Sequence, residues 1–159
     1  MTGTSFPHGI RVGADDVLLS AWNHVALDAA TFVGGTTNAR GDHDGTGDPT
    51  TLFTVTGDVM VMAWAECTTD LVGASAVIEV GITGDTAVII AQTTATDIDD
   101  GDVWNGATPG AGIAALSPIV VLGGADIIET IGTANITAGV LVYHCLWTPI
   151  SADGLVVAA

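Results

Sequence analysis

Val59-Met60-Val61-Met62-Ala63-Trp64-Ala65-Glu66-Cys67 is the stretch on which the fold turns. Successive side chains of a strand point to opposite faces, so Val59, Val61, Ala63, Ala65 and Cys67 share one side while Met60, Met62 and Trp64 share the other. Both sides are apolar. An antiparallel strand in a solitary sandwich normally keeps one face wet. Residues 140–147 show the same trait, interrupted only by His144 and the hydroxyl of Tyr143. Strands apolar on both sides need a second cover, from the segment before Pro49 or from another subunit, and left bare they would aggregate. Self-association is the favoured reading, with Met60, Met62, Trp64 and Trp147 as interface candidates.

Outward from this stretch the pattern repeats. Residues 51–56, 76–82, 87–93, 119–122 and 127–131 are short runs dominated by Val, Ile and Thr. Branched side chains suit a pleated surface better than a crowded helix. Gly-Asp, Gly-Ala and Ala-Gly pairs punctuate them, and no amphipathic helix intervenes, which predicts an all-β, antiparallel β-sandwich of jelly-roll-like kind over residues 50–159. Thr56-Gly57-Asp58 and Thr83-Gly84-Asp85 read as hairpin turns. Residues 1–49 read as an extended N-terminal arm followed by a Gly- and Asp-rich loop that ends at Pro49. Within them, residues 17–33 hold one strand or a short helix. Leu18, Trp22 and Val25 recur at helical spacing behind Asp15-Asp16, yet the same residues suit a strand, which is preferred.

The charge is as one-sided as the pattern is monotonous. The chain carries 18 acidic residues against two arginines, with no lysine, and its formal net charge of −16 repels phosphate polyanions and anionic bilayers. No nucleic-acid partner and no membrane partner is expected. With 48% hydrophobic residues and a mean hydropathy of +0.56, the chain is too apolar for a disordered acidic tail. Such a surface suits either a high-salt setting or an outward face kept soluble by self-repulsion. Cys67 and Cys145 lie in apolar runs and read as free, buried thiols. The N-terminus lacks the pattern of a signal peptide, and no stretch reaches about 18 consecutive apolar residues.

Candidate chemistry is thin. Asp97, Asp99, Asp100 and Asp102 form a weak calcium candidate whose order departs from the EF-hand, and Asp42, His43, Asp44 and Asp48 form a weaker one. Asp and Gly are also what turns use. His8, His24, His43 and His144 are scattered, without HxH or HExxH spacing. His144 and Cys145 are adjacent in a strand and point apart, so they cannot form a nucleophile pair. No GxSxG elbow is present, and a lysine-free chain cannot supply a Walker lysine. Arg40-Gly41-Asp42 spells an integrin-type tripeptide, read as coincidence in an acidic loop. The four tryptophans read as core and interface anchors rather than sugar platforms. The chain is expected to be no enzyme, with no catalytic residue and no cofactor.

Four segments carry a resemblance. Ser5-Phe6-Pro7-His8-Gly9-Ile10 resembles the N-terminal arms of tailed-phage virion proteins. Residues 48–58, 132–139 and 145–149 resemble small β proteins encoded among phage head genes. The resemblance spans most of residues 48–159 and implies a capsid decoration, or cement, protein located on the exterior of the virion. It implies a homotrimer that braces the major capsid protein, with no catalytic residue to carry over. Phe6 and Pro7 of the arm, with the loop over residues 34–49, are then expected to touch the capsid. The rival is a tail-fibre or receptor-binding module that recognises a host glycan or protein.

Overall fold

The computed structural model of the chain describes residues 4–5, 11–12, 22–35, 38–44, 48–113 and 115–159. The expected all-β architecture is what it shows. Its strands are β1 (Thr4–Ser5), β2 (Arg11–Val12), β3 (Asn23–Thr31), β4 (Thr50–Thr56), β5 (Val59–Val72), β6 (Val77–Ile82), β7 (Asp85–Thr94), β8 (Val103–Trp104), β9 (Ile119–Val121), β10 (Ile127–Gly132), β11 (Ala138–Pro149) and β12 (Leu155–Ala158). A 3-10 turn over Ala95–Asp97 follows β7. The sequence alternatives for residues 17–33 resolve to strand at β3, while residues 17–21 lie outside the described residues.

Two antiparallel five-stranded sheets share one core. The first runs β12-β4-β10-β6-β7. The second runs β3-β11-β5, and both β8 and β9 pair with β5 along its other edge. Among the described residues, β1 and β2 pair only with each other. The chain passes repeatedly between sheets, with β4 in the first, β5 in the second, β6 and β7 in the first, β10 in the first and β11 in the second. β3 comes from the segment read as arm and loop, and it forms an edge of the second sheet.

The two turns read as hairpins part company. Thr83-Gly84 closes the β6–β7 hairpin with Ile82 opposite Asp85, and Gly84 adopts a φ of +101° that only glycine takes without strain. Thr56-Gly57-Asp58 is not a hairpin turn, because β4 and β5 belong to different sheets. It is a corner between layers. The Asp58 N–H donates to Ser151 Oγ at 2.8 Å, and the Asp58 carboxylate accepts the Gly123 N–H at 2.8 Å. These bonds tie the corner to two distant connections.

The inner faces interlock around Leu52, Phe53, Ile78, Ile90, Ile127, Val59, Val61, Leu141 and Trp104, all removed from solvent. Two polar links cross the sandwich. Trp104 of β8 donates its indole N–H to Thr93 Oγ1 of β7 at 2.9 Å. Tyr143 of β11 donates its hydroxyl to Glu129 of β10. A buried polar group without a partner is costly, so such links also lock the relative placement of the sheets.

The outer faces differ from each other. On the first sheet Thr54, Thr56, Gln92 and Glu79 face outward beside exposed Leu155 and Val157 of the β12 edge, with Gln92 and Thr86 both donating to the Glu79 carboxylate. On the second sheet the outward row is largely apolar.

Candidate functional site

That outward row is set by strand register. β11 lies between β3 and β5, and directly opposed residues share a face. Met60 opposes Thr148, Met62 opposes Leu146, Trp64 opposes His144 and Glu66 opposes Val142. Across the other edge of β11, His24 opposes Leu146 and Ala26 opposes His144. Val120 of β9 opposes Met60 and extends the patch, with 51% of its surface exposed. Met60, Met62, Trp64, Val142 and Leu146 are half-buried, whereas the alternate side of β5 is sealed in the core.

Three of the four interface candidates on strands therefore meet on one surface. Trp147 does not join them. It opposes Val61 on the inner side of the sheet and packs against the core. Parity along the strand decides this, since Trp147 is an odd number of residues from His144. Phe6 and Pro7 lie outside the described residues.

Within the patch, three rings form a near-parallel cluster. Ring centroids of Trp64 and His144 are 4.9 Å apart, those of His24 and His144 5.3 Å, and those of His24 and Trp64 6.2 Å. His24 Nε2 and His144 Nδ1 lie 3.1 Å apart. The other nitrogen of His144 is sealed from solvent and sits 3.6 Å from Oε1 of Glu66. Burial lowers the His144 pKa; Glu66 and Asp28 oppose that shift, while His24 reinforces it. The histidines are 120 residues apart in sequence, so spacing gave no sign of this pair. Only the pairing of β3 with β11 creates it.

Behind His144, Cys145 faces the core as its position predicts, and burial pushes its thiol up to about 12. Cys67 is also buried and its thiol raised by burial. Both are free. Cys67 opposes Leu141 and Cys145 opposes Ala63, a separation of four positions, or about 14 Å along the strands. No disulfide reaches that far.

A second polar centre lies where the loop after β3 docks on the sandwich. The Arg40 guanidinium donates from Nε to Glu129 Oε1 and from Nη2 to Glu129 Oε2, each at 3.3 Å. Its charged end lies 5.7 Å from the Phe32 ring centre and 5.9 Å from that of Tyr143. Burial raises the Glu129 carboxyl, and Arg40 and the Tyr143 hydroxyl pull it down. The Tyr143 hydroxyl is pushed well above its usual range by burial and by the adjoining carboxylate. Arg40 is thus engaged inside the fold, and Asp42 is buried with its carboxylate accepting the Asn38 N–H. The Arg40-Gly41-Asp42 tripeptide is not displayed.

The calcium candidate Asp97, Asp99, Asp100 and Asp102 does not converge. Asp102 accepts the Asp99 N–H, the Asp100 N–H donates to Asp70, and Asp97 ends the 3-10 turn. The Asp102 and Asp70 carboxylates thus close turns beside the end of β5, as Asp does by bonding nearby backbone. Among the described residues, the one group of three metal-ligating side chains within 4.8 Å of one another is Asp42, His43 and Asp44. Its His43 ring is held against the Asn135 carboxamide oxygen. Among the described residues no helix is long and apolar enough to cross a membrane.

Compared with protein-family models, with curated proteins and with solved structures, the chain matches none.

Proposed function

We propose that this chain is a structural virion protein that self-associates on the outer surface of a phage capsid and stabilises the shell as a decoration protein. The observation that carries the reading is the asymmetry of the sandwich. The outer face of the first sheet mixes Thr54, Thr56, Glu79 and Gln92 with exposed Leu155 and Val157 at its β12 edge, whereas the second offers Met60, Met62, Trp64, Val120, Val142 and Leu146 as a continuous apolar surface. On a chain of net charge −16, this is the surface on which copies can meet without opposing rows of carboxylates. The rigid core, with its cross-sheet bonds, suits a bracing role. The resemblance of residues 48–159 to small phage head proteins directs the reading to a capsid.

Labelling of intact particles tests it. A gold-conjugated antibody against the chain should decorate the whole shell in a regular array. Label confined to the tail would overturn the proposal in favour of a receptor-binding module.

A further inference from the structure

We infer that His24 and His144 form a binding site for one transition-metal dication, of the copper, nickel or zinc type, on the outer face of the second sheet. Their facing nitrogens, Nε2 of His24 and Nδ1 of His144, are 3.1 Å apart. An ion held at about 2.0–2.1 Å from each nitrogen would see them at an angle of about 100°, between octahedral and tetrahedral values. Two adjacent strands carry the pair, so the hydrogen-bonded ladder of β3 and β11 sets the spacing of the ligands in advance.

A second feature points the same way. His144 Nε2 faces Glu66 Oε1 at 3.6 Å. A metal-ligating histidine characteristically directs its other ring N–H to a carboxylate, which selects the tautomer whose free lone pair faces the ion. At 3.6 Å the Glu66 carboxylate is beyond hydrogen-bond reach of Nε2, and its charge favours the His144 tautomer with the proton on that side, which leaves the lone pair of Nδ1 turned to His24. Trp64, stacked at 4.9 Å on His144, walls one side of the site. His24 is exposed, which leaves the remaining coordination positions to water.

The donor set chooses the ion. Two imidazole nitrogens suit copper, nickel and zinc, with copper the tightest, whereas calcium and magnesium require oxygen ligands. In the metal-free state one proton lies between the two facing nitrogens. On binding, His24 passes through solvent exchange to the tautomer protonated on Nδ1, which frees its Nε2 lone pair; no net proton is released from the neutral pair and no electron is transferred.

The test is calorimetric titration of the purified chain with copper(II), nickel(II) or zinc(II) in separate experiments, with excess calcium present to occupy surface carboxylates. One ion per chain is expected, copper binding most tightly. His24→Gln should lower copper affinity at least tenfold, and since His24 is exposed its replacement leaves the core intact. His144→Gln should do the same. Glu66→Gln should weaken binding about tenfold through the lost orientation of His144. His43→Ala should bind as the parent does. Copper should also quench Trp64 emission, a signal that Trp64→Phe removes. Unchanged affinity in His24→Gln, or binding that calcium abolishes, would overturn the assignment, as would loss of binding in His43→Ala alone.

Discussion

Arg40 is one of two basic residues in the chain, and it lies against a carboxylate that is 1% exposed. Removing one partner of a buried pair leaves an uncompensated charge, a loss of about 3–5 kcal/mol. Arg40→Ala should therefore lower the urea midpoint by that equivalent at pH 8. The deficit should shrink in acid. Burial already raises Glu129, and removing the guanidinium takes away a downward pull. A carboxyl raised in the folded state contributes stability that is full below its unfolded value, near 4.5, and lost as pH rises through the folded value. The variant should thus come closest to the parent near pH 4.5 and fall furthest behind above neutrality. A deficit equal at pH 5 and pH 8 would show that Glu129 does not change its charge state differently in the two proteins over that range. None of this was visible at Arg40 in the sequence, where the residue stood out only as the start of a tripeptide. Its partner lies 89 residues away, on a strand in the opposite layer.

Among the strands, Gly139 shows what a single backbone position contributes. It sits near the start of β11, at a register shift against β5, with a φ of +122°. A Cβ there would lie 2.4 Å from Leu71 Cδ2 and 2.8 Å from the Asp70 carbonyl oxygen. Gly139→Ala should destabilise the fold by about 2–3 kcal/mol, through strain at an unfavourable φ and contact with backbone that cannot yield. Gly112→Ala, with nothing within 4 Å of the added carbon, should fall within about 0.5 kcal/mol of the parent. Urea unfolding of both variants gives the comparison. The core strands were legible for a simple reason: Val, Ile and Thr runs at β4, β6, β7, β10 and β11 are bounded by glycine-containing turns. β8 spans two residues and β12 four, too short for a pattern to register. The corner at Gly57 was misread because a turn's residues specify how the chain bends, whereas sheet membership depends on partners far along the chain. The same limit applies to the site. Parity predicted that Met60, Met62 and Trp64 share a face, but not that His24 would lie beside them.

For the whole molecule, an apolar face and a charge of −16 oppose each other in any encounter between copies. Burial of the methionines, Trp64 and Leu146 favours association at about 25 cal/mol per Å² of apolar area, before the loss of rotational and translational freedom is subtracted. Repulsion between acidic surfaces acts over the Debye length, about 30 Å at 0.01 M salt and about 3 Å at 1 M. Salt therefore weakens the opposing force while leaving the apolar contact in place. Light scattering should find the smallest mean mass at low ionic strength and a rise toward a discrete oligomer as salt increases. Met62→Asp places a carboxylate at the centre of the half-buried face, opposite Leu146 and away from the core. That variant should remain monomeric at every salt concentration and match the parent's unfolding midpoint at low ionic strength, where the parent is least assembled. Were it to assemble as the parent does, the contact between copies would have to lie elsewhere, with β7, an edge strand of the first sheet among the described residues, the next surface to examine. A parent chain that stays monomeric even at 1 M salt would leave the second sheet's apolar face without a role in self-association.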